Sequence, residues 1–590
     1  MEPKARKRSP QEEHSNSMII LYWLALFMLA GLVWVITTGL MLSLPQAIVL
    51  LLWVVLPFIY LTTVVSYHLG LPRKLEKQWP RPYLHVPLAL DRKAFGDAEE
   101  QCTTLLGYEN DKTPVYWTPE QRALQGNLPG QSGSGKTTFI LNIIEQDIRR
   151  GYPVIYFDGK GDKELVLKIW NLAYAAGRGG DVRVIDPSNP EISAKFNPFY
   201  TADGHIQQRV GTIFDSLGAS ETNDQFFSEH QRAFLNAITA ILEHTGKQFT
   251  FLDILIACQN QQLMTQLIAS LRDRVMADPD IPMHKKNSFL LNVITLKGNY
   301  QDKDWLKQIR GLLNSMMPFV GDTLALITGS AEDLITFEEV VEKKQILIIS
   351  MNLGTDSQPI KGLGRIMMRN LQFLIASRYN DYTLNVQHPF LSIVMDEFGM
   401  YAYKGFKEII HTARQANAAF LFSFQSIELL AMDVSPAFSS DIASAPGSKF
   451  MMRISDNSTA EAFLKASATV STQRISYRVE KGSSLDHAYL DEGTGTRQEV
   501  KETRVSDEQI RVLPTGQMMA LLPEHAMALI VKHLHVRACN HAELDTAPQW
   551  LPVLKTSKRD SVALNLQLTS EELPKPSTGT GNRRQSNVKK

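Results

Sequence analysis

The most constraining feature of the chain is the octapeptide Gly130–Thr137, GQSGSGKT, which matches the P-loop pattern G-x-x-x-x-G-K-[ST]. In such a loop the glycines let backbone N–H groups form a concave nest for phosphate oxygens. The helix that follows points the positive end of its dipole at the same anion. The pattern predicts a site for ATP and Mg²⁺, in which Lys136 reaches the β- and γ-phosphates and Thr137 binds the metal. The predicted nucleotide-binding residues are Gly130, Gln131, Ser132, Gly133, Ser134, Gly135, Lys136, Thr137 and Thr138.

The stretch in front of the P-loop, residues 123–129, is a poor strand pattern because it contains Gly126 and Pro129. A chance glycine- and serine-rich loop is therefore the alternative. The complete motif and the helix-like run Thr138–Ile144 favour the nucleotide site.

A second strong signal lies near the N-terminus, where residues 18–67 contain no Asp, Glu, Lys or Arg. This span is about twice the roughly 20 residues that one helix needs to cross a bilayer. Its breaks, at residues 37–39 and 43–46, predict a transmembrane hairpin over 18–70, with helices at about 18–42 and 46–67. A cleaved signal peptide has a much shorter apolar core, and a buried hairpin of a soluble domain is the other alternative.

Basic residues flank this hairpin on both sides, whereas its short turn carries no charge. By the positive-inside rule, both termini are expected in the cytoplasm, on the side where ATP is found. Residues 1–17 form the N-terminal cytoplasmic segment, and 71–121 form a juxtamembrane connector with short strand patterns at 83–86 and 115–117. The flanking basic residues are Lys4, Arg6, Lys7, Arg8, Arg73, Lys74, Lys77 and Arg81.

Composition sets broader limits. A chain of 590 residues is too long for one core, so about two or three globular units are expected. A formal net charge of zero argues against a wholly basic nucleic-acid coat but not against a local basic channel. The 3 cysteines are far apart, which predicts neither a disulfide framework nor a metal site and fits a reducing compartment.

Downstream of the P-loop, apolar runs at 153–158 and 182–186 alternate with helix-like stretches, which predicts the start of a doubly wound α/β sheet. Helical periodicity then dominates, predicting an all-α insertion domain over 205–331. The sheet resumes at 346–350, so the nucleotide-binding domain comprises 122–204 and 332–540.

The insertion is rich in basic residues, which indicate either a nucleic-acid surface or an ordinary solvated face. These residues are Arg272, Arg274, Lys285, Lys286, Lys297, Lys303, Lys307 and Arg310.

The apolar run 390–395 ends in the adjacent carboxylates Asp396 and Glu397, the Walker B arrangement. Asp396 is expected to hold the Mg²⁺ shell, and Glu397 to orient or deprotonate the attacking water. Gln425 ends the next strand pattern and is expected to sense the γ-phosphate or the water; alternatively it caps the following helix. Arg414 is either an arginine finger for a neighbouring subunit or a surface charge.

The C-terminal part is predicted to contain a strand at 449–454, a closing hairpin from 517–522 and 527–532, and an exposed loop or ribbon at 482–504. From 541 to 590 the chain becomes a disordered basic tail. Within it, the LNLQL stretch at 564–568 is either a short docking motif or plain linker.

Taken in order, these features resemble the type IV coupling proteins of conjugation and type IV secretion. The similar segments are the membrane hairpin, GQSGSGKTT at 130–138, DGKGD at 158–162, the helical insertion, SIVMDEFG at 392–399, TARQANAAFLFSFQS at 412–426, KFMMRISDNSTAEAF at 449–463 and LPTGQMMALLPEHAMALIVK at 513–532. They cover nearly all of residues 18–536.

This resemblance implies a RecA-like P-loop ATPase with an all-α insertion and a two-helix transmembrane anchor. It implies a homo-hexamer in the bacterial inner membrane that recruits a relaxase–DNA complex or effector proteins. Such a motor would use ATP hydrolysis to deliver this cargo to the type IV secretion channel.

Two other functions remain open at this stage. A double-stranded DNA translocase of the FtsK/HerA type shares the motor core but usually carries a winged DNA-reading domain and lacks this insertion. A non-catalytic membrane receptor or scaffold would bind nucleotide only to hold its shape. An ABC-type ATPase is disfavoured because no LSGGQ-like signature is present.

Overall fold

A computed structural model describes residues 84–200, 206–218, 225–330, 332–352, 357–381, 388–467, 469–479, 491–503, 505–524, 529–539, 564 and 566. The predicted transmembrane hairpin lies outside these residues, as do the N-terminal segment and most of the tail. None of the helices within the described ranges combines the length and apolar character needed to cross a bilayer. All of the described residues belong to one compact unit.

The strands of the predicted doubly wound sheet are present, and further strands lie at both ends of the unit. They are β1 Thr104–Tyr108, β2 Pro114–Trp117, β3 Gly126–Pro129, β4 Val154–Asp158, β5 Val182–Ile185, β6 Ile346–Ser350, β7 Leu391–Asp396, β8 Ala418–Phe424, β9 Ser448–Met451, β10 Thr469–Val479, β11 Asp491–Thr503, β12 Gln517–Pro523 and β13 Leu529–Val536.

Helices connect most of these strands and fill the region between β5 and β6. They are α1 Leu88–Glu100, α2 Pro119–Ala123, α3 Lys136–Arg149, α4 Lys163–Ala175, α5 Ile206–Ser216, α6 Gln225–Glu243, α7 Phe251–Gln259, α8 Gln261–Ala277, α9 Met283–Gln301, α10 Trp305–Gln308, α11 Arg310–Met316, α12 Asp322–Thr328, α13 Phe337–Glu342, α14 Ser357–Tyr379, α15 Lys407–Ala413, α16 Ile427–Asp433, α17 Pro436–Ser444, α18 Asn457–Ala466 and α19 Asp507–Arg511.

One sheet of 11 strands organises the unit, in the order β2-β1-β13-β12-β9-β3-β8-β7-β4-β6-β5. The strands from β9 to β5 in this order are all parallel. Their carboxyl ends therefore meet at one edge, where open α/β sheets bind their ligands. β8 lies between the P-loop strand β3 and the Walker B strand β7, which places the ends of all three side by side.

The short strand β3 is central and buried although its sequence, GNLP, is a poor strand pattern. Gly126 suits this position because a Cβ there would lie 3.1 Å from the rings of Trp117 and Phe450, closer than ordinary van der Waals contact. The side-chain nitrogen of Asn127 donates to the carbonyls of Ile442 and Ala443, each at 3.2 Å, near the end of α17. Pro129 is the last residue of the strand, so the sheet continues without its missing N–H.

The region predicted as an all-α insertion is helical. In its described residues between 206 and 328 there are eight α-helices, α5 to α12. Their core is continuous with the core under one face of the sheet, because Phe234 of α6 and Phe289 of α9 belong to the same buried cluster as Phe157 of β4. The opposite face packs on α3 and α4 through a separate cluster.

The structure differs from the predicted organisation at both ends of the unit. β1 and β2, which lie in the predicted connector, join the main sheet because β1 pairs with β13. The short strand pattern at 115–117 is confirmed, whereas residues 84–86 form no strand. The closing hairpin is confirmed as β12 and β13, and the stretch 482–504 contains β11, which forms a ribbon with β10.

Candidate nucleotide site

The P-loop connects the carboxyl end of β3 to the first turn of α3, as the motif predicts. Gly133 and Gly135 have φ values of 74° and 109°, in the left-handed region that favours glycine. At Gly130 a Cβ would lie 2.9 Å from both the Cβ of Met452 and the Oγ of Ser134. The loop is thus a tight turn that leaves room for backbone N–H groups to approach a ligand.

The turn in front of β12 also supports the P-loop, through hydrogen bonds to its backbone carbonyls. The hydroxyl of Thr515 donates to the carbonyl of Gly133 at 3.1 Å, and the N–H of Gly516 donates to the carbonyl of Ser134 at 2.9 Å. A Cβ on Gly135 would lie only 3.0 Å from the Gly516 nitrogen. This role could not be predicted from the sequence, because no local pattern links residues so far apart in the chain.

Lys136 is 4 % exposed and turns back into the loop. Its ammonium group donates to the carbonyl of Gly130 and lies 4.0 Å from Oε1 of Glu397. Burial lowers the pKa of Lys136, and the nearby carboxylates of Glu397 and Asp396 oppose this shift. A phosphate oxygen would replace the contact to Gly130 and give the buried cation a stronger, charged partner.

The Walker B carboxylates are held in different ways. Asp396 is 1 % exposed, and its Oδ1 accepts hydrogen bonds from the Ser423 hydroxyl at 2.7 Å and the Glu397 N–H at 3.1 Å. Glu397 follows with a φ of 51°, a left-handed conformation that costs a non-glycine residue about 1 kcal/mol. This turn directs the Glu397 side chain toward the P-loop lysine and away from the sheet.

Three cationic or amide groups meet at Oε1 of Glu397. Lys160 lies 2.8 Å away, Gln425 donates through Nε2 at 3.2 Å, and Lys136 is the more distant third group. Burial would lower the pKa of Lys160, but the hydrogen bond to Glu397 and the charges of Asp396 and Glu397 raise it above its ordinary value. The structure therefore brings together Lys136, Glu397 and Gln425, as the sequence predicts.

Lys160 was not predicted as a site residue, although the DGKGD motif that contains it was noted. The motif forms a fixed loop because Asp158 accepts hydrogen bonds from the N–H groups of Lys160 at 2.9 Å and Asp162 at 2.7 Å. Burial raises the pKa of Asp158, and these bonds oppose the shift. A Cβ at Gly159 would lie 2.7 Å from the Tyr401 hydroxyl, so the loop packs closely on the Walker B turn.

Gln425 lies at the end of β8 and does not cap the helix that follows. Ser426 is the N-cap of α16, and its hydroxyl accepts from the Leu429 N–H. The capping alternative is thus wrong, and the Gln425 side chain contacts Glu397 instead.

Arg414 lies away from this site in its own chain. It follows α15 and is exposed, and the nearby Asn417 donates to the carbonyl of His388, just before β7 begins. This is the opposite edge of the sheet, about 20 Å from Gln425 for a strand of seven residues. A role for Arg414 in a neighbouring subunit's site remains a prediction.

The donor set fits a magnesium–nucleotide complex. Thr137 lies in the first turn of α3, and Asp396 ends β7 at the same edge of the sheet. Among the described residues no hydrogen-bond donor is assigned to Oδ2 of Asp396. One carboxylate and one hydroxyl, completed by phosphate oxygens and water, match the way Mg²⁺ is usually bound.

The basic residues of the insertion are mostly exposed, and Lys286 is half-buried. Several bind within their own unit: Lys307 pairs with Asp304 at 2.7 Å, Lys286 donates to the Met276 carbonyl at 3.0 Å, and Arg274 donates to the His244 carbonyl. A nucleic-acid surface here stays a prediction.

Comparison with known proteins places this arrangement in context. The family model described as "Type IV secretory system Conjugative DNA transfer" matches residues 126–492, more than half of the chain. The type 4 coupling protein DotL of Legionella pneumophila is 23% identical over 405 residues, which cover 61% of this chain and 51% of DotL. The chain thus spans about half the length of this curated relative.

Two solved structures are similar in fold. The unbound bacterial conjugative coupling protein TrwBdeltaN70 has a TM-score of 0.52 at 13% identity, over 77% of this chain and 94% of that one. The plasmid coupling protein TrwB in complex with the GTP analogue GDPNP has a TM-score of 0.50 at 11% identity, over 78% and 95%. These likenesses show the fold alone, a RecA-like α/β fold built on a large mixed sheet.

Proposed function

Since the chain belongs to the type IV secretory system conjugative DNA transfer family, the type IV coupling proteins, we propose that it is an ATP-hydrolysing motor. In this proposal it recruits a relaxase–DNA complex or effector proteins and delivers them to a type IV secretion channel. The observation that carries the proposal is the meeting of Lys136, Lys160 and Gln425 at the single oxygen Oε1 of Glu397.

The side chains of the site divide the tasks of phosphoryl transfer, which depends mainly on positioning and charge neutralisation. The P-loop N–H groups and Lys136 would hold the phosphates, and Thr137 and Asp396 would hold Mg²⁺. When bound, the metal neutralises charge on the β- and γ-phosphates. Glu397 accepts a proton from the attacking water, and Gln425 orients that water from the neighbouring strand end.

The proposed location is the bacterial inner membrane, with both termini in the cytoplasm. It rests on the charge-free stretch 18–67 and on the basic residues that flank it. We propose a homo-hexamer, in which Arg414 of one subunit would complete the site of the next. Arg414 suits this role because its side chain is exposed and lies away from its own nucleotide site.

Lys136→Ala tests the proposal directly. We expect loss of ATP turnover and of cargo transfer, because a buried cation that binds the phosphates is removed, while the chain remains in the membrane fraction. Turnover would be measured on the purified full chain, and transfer in cells that contain only this variant. Normal transfer by the variant would exclude a motor function.

ATP turnover measured with single-stranded and with double-stranded DNA distinguishes the proposed coupling protein from a double-stranded DNA translocase. A double-stranded DNA translocase predicts stronger stimulation of ATP turnover by duplex than by single strands. A coupling protein that moves a relaxase-bound single strand predicts the reverse. A nucleotide-binding scaffold predicts no turnover with either substrate.

A further inference from the structure

Two residues of the predicted disordered tail lie against the helical insertion. The N–H of Leu564 donates to the carbonyl of Gln248 at 2.8 Å, and the N–H of Leu566 donates to Oδ1 of Asp253 at 2.8 Å. Both leucine side chains are half-buried against the large core that the insertion shares with the sheet. The prediction of a wholly disordered tail is therefore wrong at these positions.

The spacing of these contacts is that of an extended peptide. In an extended chain, residues i and i+2 direct their N–H groups to one edge and their side chains to one face. The N–H groups of Leu564 and Leu566 both donate to the segment 248–253, and both side chains pack on the same core, as this arrangement requires. Leu568 continues the same alternation in the sequence. The contacts thus use the alternating leucines that the sequence analysis noted as a possible docking motif.

The receiving surface is built around a buried carboxylate. Asp253 is 4 % exposed, and its Oδ2 accepts from the N–H of Thr250 at 2.8 Å and from the Thr250 hydroxyl at 3.0 Å, which caps the start of α7. Its other oxygen, Oδ1, is the one that Leu566 reaches. A buried carboxylate oxygen needs a donor, so the tail N–H complements this surface chemically as well as in shape.

We propose that the loop before α7 and the first turn of this helix form a docking site for an extended peptide with leucines at alternate positions. The chain's own Leu564 and Leu566 occupy this site in cis. The tail is thereby anchored on the helical insertion, and any extended leucine-bearing segment of another protein must displace it to bind there. This inference is independent of the nucleotide site and of the proposed function.

Hydrogen–deuterium exchange of the full chain tests occupancy by the tail. We expect the amides of Leu564 and Leu566 to exchange at least about tenfold more slowly than amides of residues 570–590, because each is hydrogen-bonded and partly buried. The double variant Leu564→Asp/Leu566→Asp should lose this protection, whereas the control Thr569→Asp/Ser570→Asp should retain it. If Leu564 and Leu566 exchanged as fast as residues 570–590 in the unmodified chain, the proposal would be overturned.

A peptide added in trans tests the site itself. A fluorescent peptide with the sequence of residues 560–570 should bind the Leu564→Asp/Leu566→Asp chain. It should bind the unmodified chain at least about tenfold more weakly, because a tethered competitor acts at millimolar effective concentration. The same peptide with Leu564 and Leu566 replaced by aspartate is the control and should not bind.

Two results would contradict the proposal in this second experiment. Failure of the peptide to bind the double variant would exclude the site, and equal binding to both chains would exclude occupancy by the tail.

The exchange experiment also distinguishes binding in cis from binding between copies. If protection of Leu564 and Leu566 in the unmodified chain falls on dilution, a second copy supplies the tail and the assignment in cis is wrong.

Discussion

Glu397 is the residue on which the nucleotide site converges. Its partners arrive from different strand ends: Lys160 follows β4, Gln425 follows β8 and Lys136 begins the helix after β3. Its backbone is held at a φ of 51°, in a region that non-glycine residues usually avoid. Such conformations persist where the surrounding structure enforces them, and they are concentrated at functional sites.

Lys160→Met tests whether this convergence matters for catalysis. The variant keeps the length of the side chain but removes the ion pair to Glu397, so the carboxylate loses one of its positioning contacts. We expect kcat for ATP to fall by about 10- to 100-fold, since small misplacements of catalytic groups have effects of this size. KM should change little because the described contact of Lys160 is to Glu397, not to the P-loop.

Lys163→Met is the matched control, because Lys163 is exposed at the start of α4 in the same segment. It should leave both constants near wild type. If Lys160→Met raised KM and left kcat unchanged, or if both variants behaved alike, Lys160 would not position Glu397.

Among individual residues, the sequence predicted those whose chemistry follows from local motifs. Lys136, Asp396 and Glu397 belong to the two Walker patterns, and Gln425 ends a recognisable apolar run. Lys160 was not predicted as a site residue, because its role depends on a contact with a residue far away in the chain. Its motif was visible, but no local pattern says which carboxylate a lysine will meet.

At the scale of secondary structure, β3 shows why pattern reasoning fails at a particular strand. Gly126 and Asn127 have low strand propensity, yet each makes a contact with a distant element that suits its residue type. Gly126 admits the rings of Trp117 and Phe450, and Asn127 binds carbonyls at the end of α17. The strand was doubtful from sequence because the reasons for its composition are all tertiary.

The contact between the P-loop and the turn before β12 is predicted to support nucleotide binding. Gly516 has a φ of 81°, and its N–H supports the Ser134 carbonyl. In Gly516→Ala the backbone strain costs about 1–2 kcal/mol and displaces this support. We expect nucleotide affinity to fall several-fold, measured by titration with a fluorescent ATP analogue.

Gly177→Ala controls for strain alone. Gly177 has a φ of 73° beyond the end of α4, and a Cβ there would contact nothing within 4 Å. Its stability loss should match that of Gly516→Ala, with nucleotide affinity unchanged. An equal loss of affinity in both variants would mean that the turn does not support the P-loop specifically.

Lys449 stabilises another junction, between β9 and the end of α17. Its ammonium group donates to the carbonyls of Ala443 at 2.7 Å, Ser444 at 3.0 Å and Pro446 at 2.9 Å. Lys449→Met retains the apolar stem but leaves these acceptors unpaired, so we expect the unfolding free energy to fall by about 2 kcal/mol.

The control is Lys465→Met on α18, whose side chain is 81% exposed and pairs with Glu461. Exposed pairs contribute little, so denaturant unfolding of this variant should match wild type. A similar loss in both variants, or none in Lys449→Met, would contradict the proposed role of Lys449.

At the scale of the whole molecule, the order of strands and helices was predictable and the pairing was not. Apolar runs that alternate with helix-like stretches predicted the doubly wound sheet, and helical periodicity predicted the helical region. The comparisons confirm the coupling-protein resemblance. The pairing of β1 with β13 joins residues at opposite ends of the unit, and the continuous core ties the helical region to the sheet. Contacts of this kind leave no local periodicity in the sequence.

The most direct test of the central claim is cargo delivery by cells whose only copy of this chain carries Glu397→Gln. The change preserves the shape of the side chain and its hydrogen bond with Gln425 but removes the base, so ATP should still bind while turnover falls by about 10²- to 10⁴-fold. We predict a comparable loss of DNA or effector delivery, with the variant still present in the membrane fraction. Delivery at the wild-type rate, with turnover abolished, would contradict a motor driven by ATP hydrolysis.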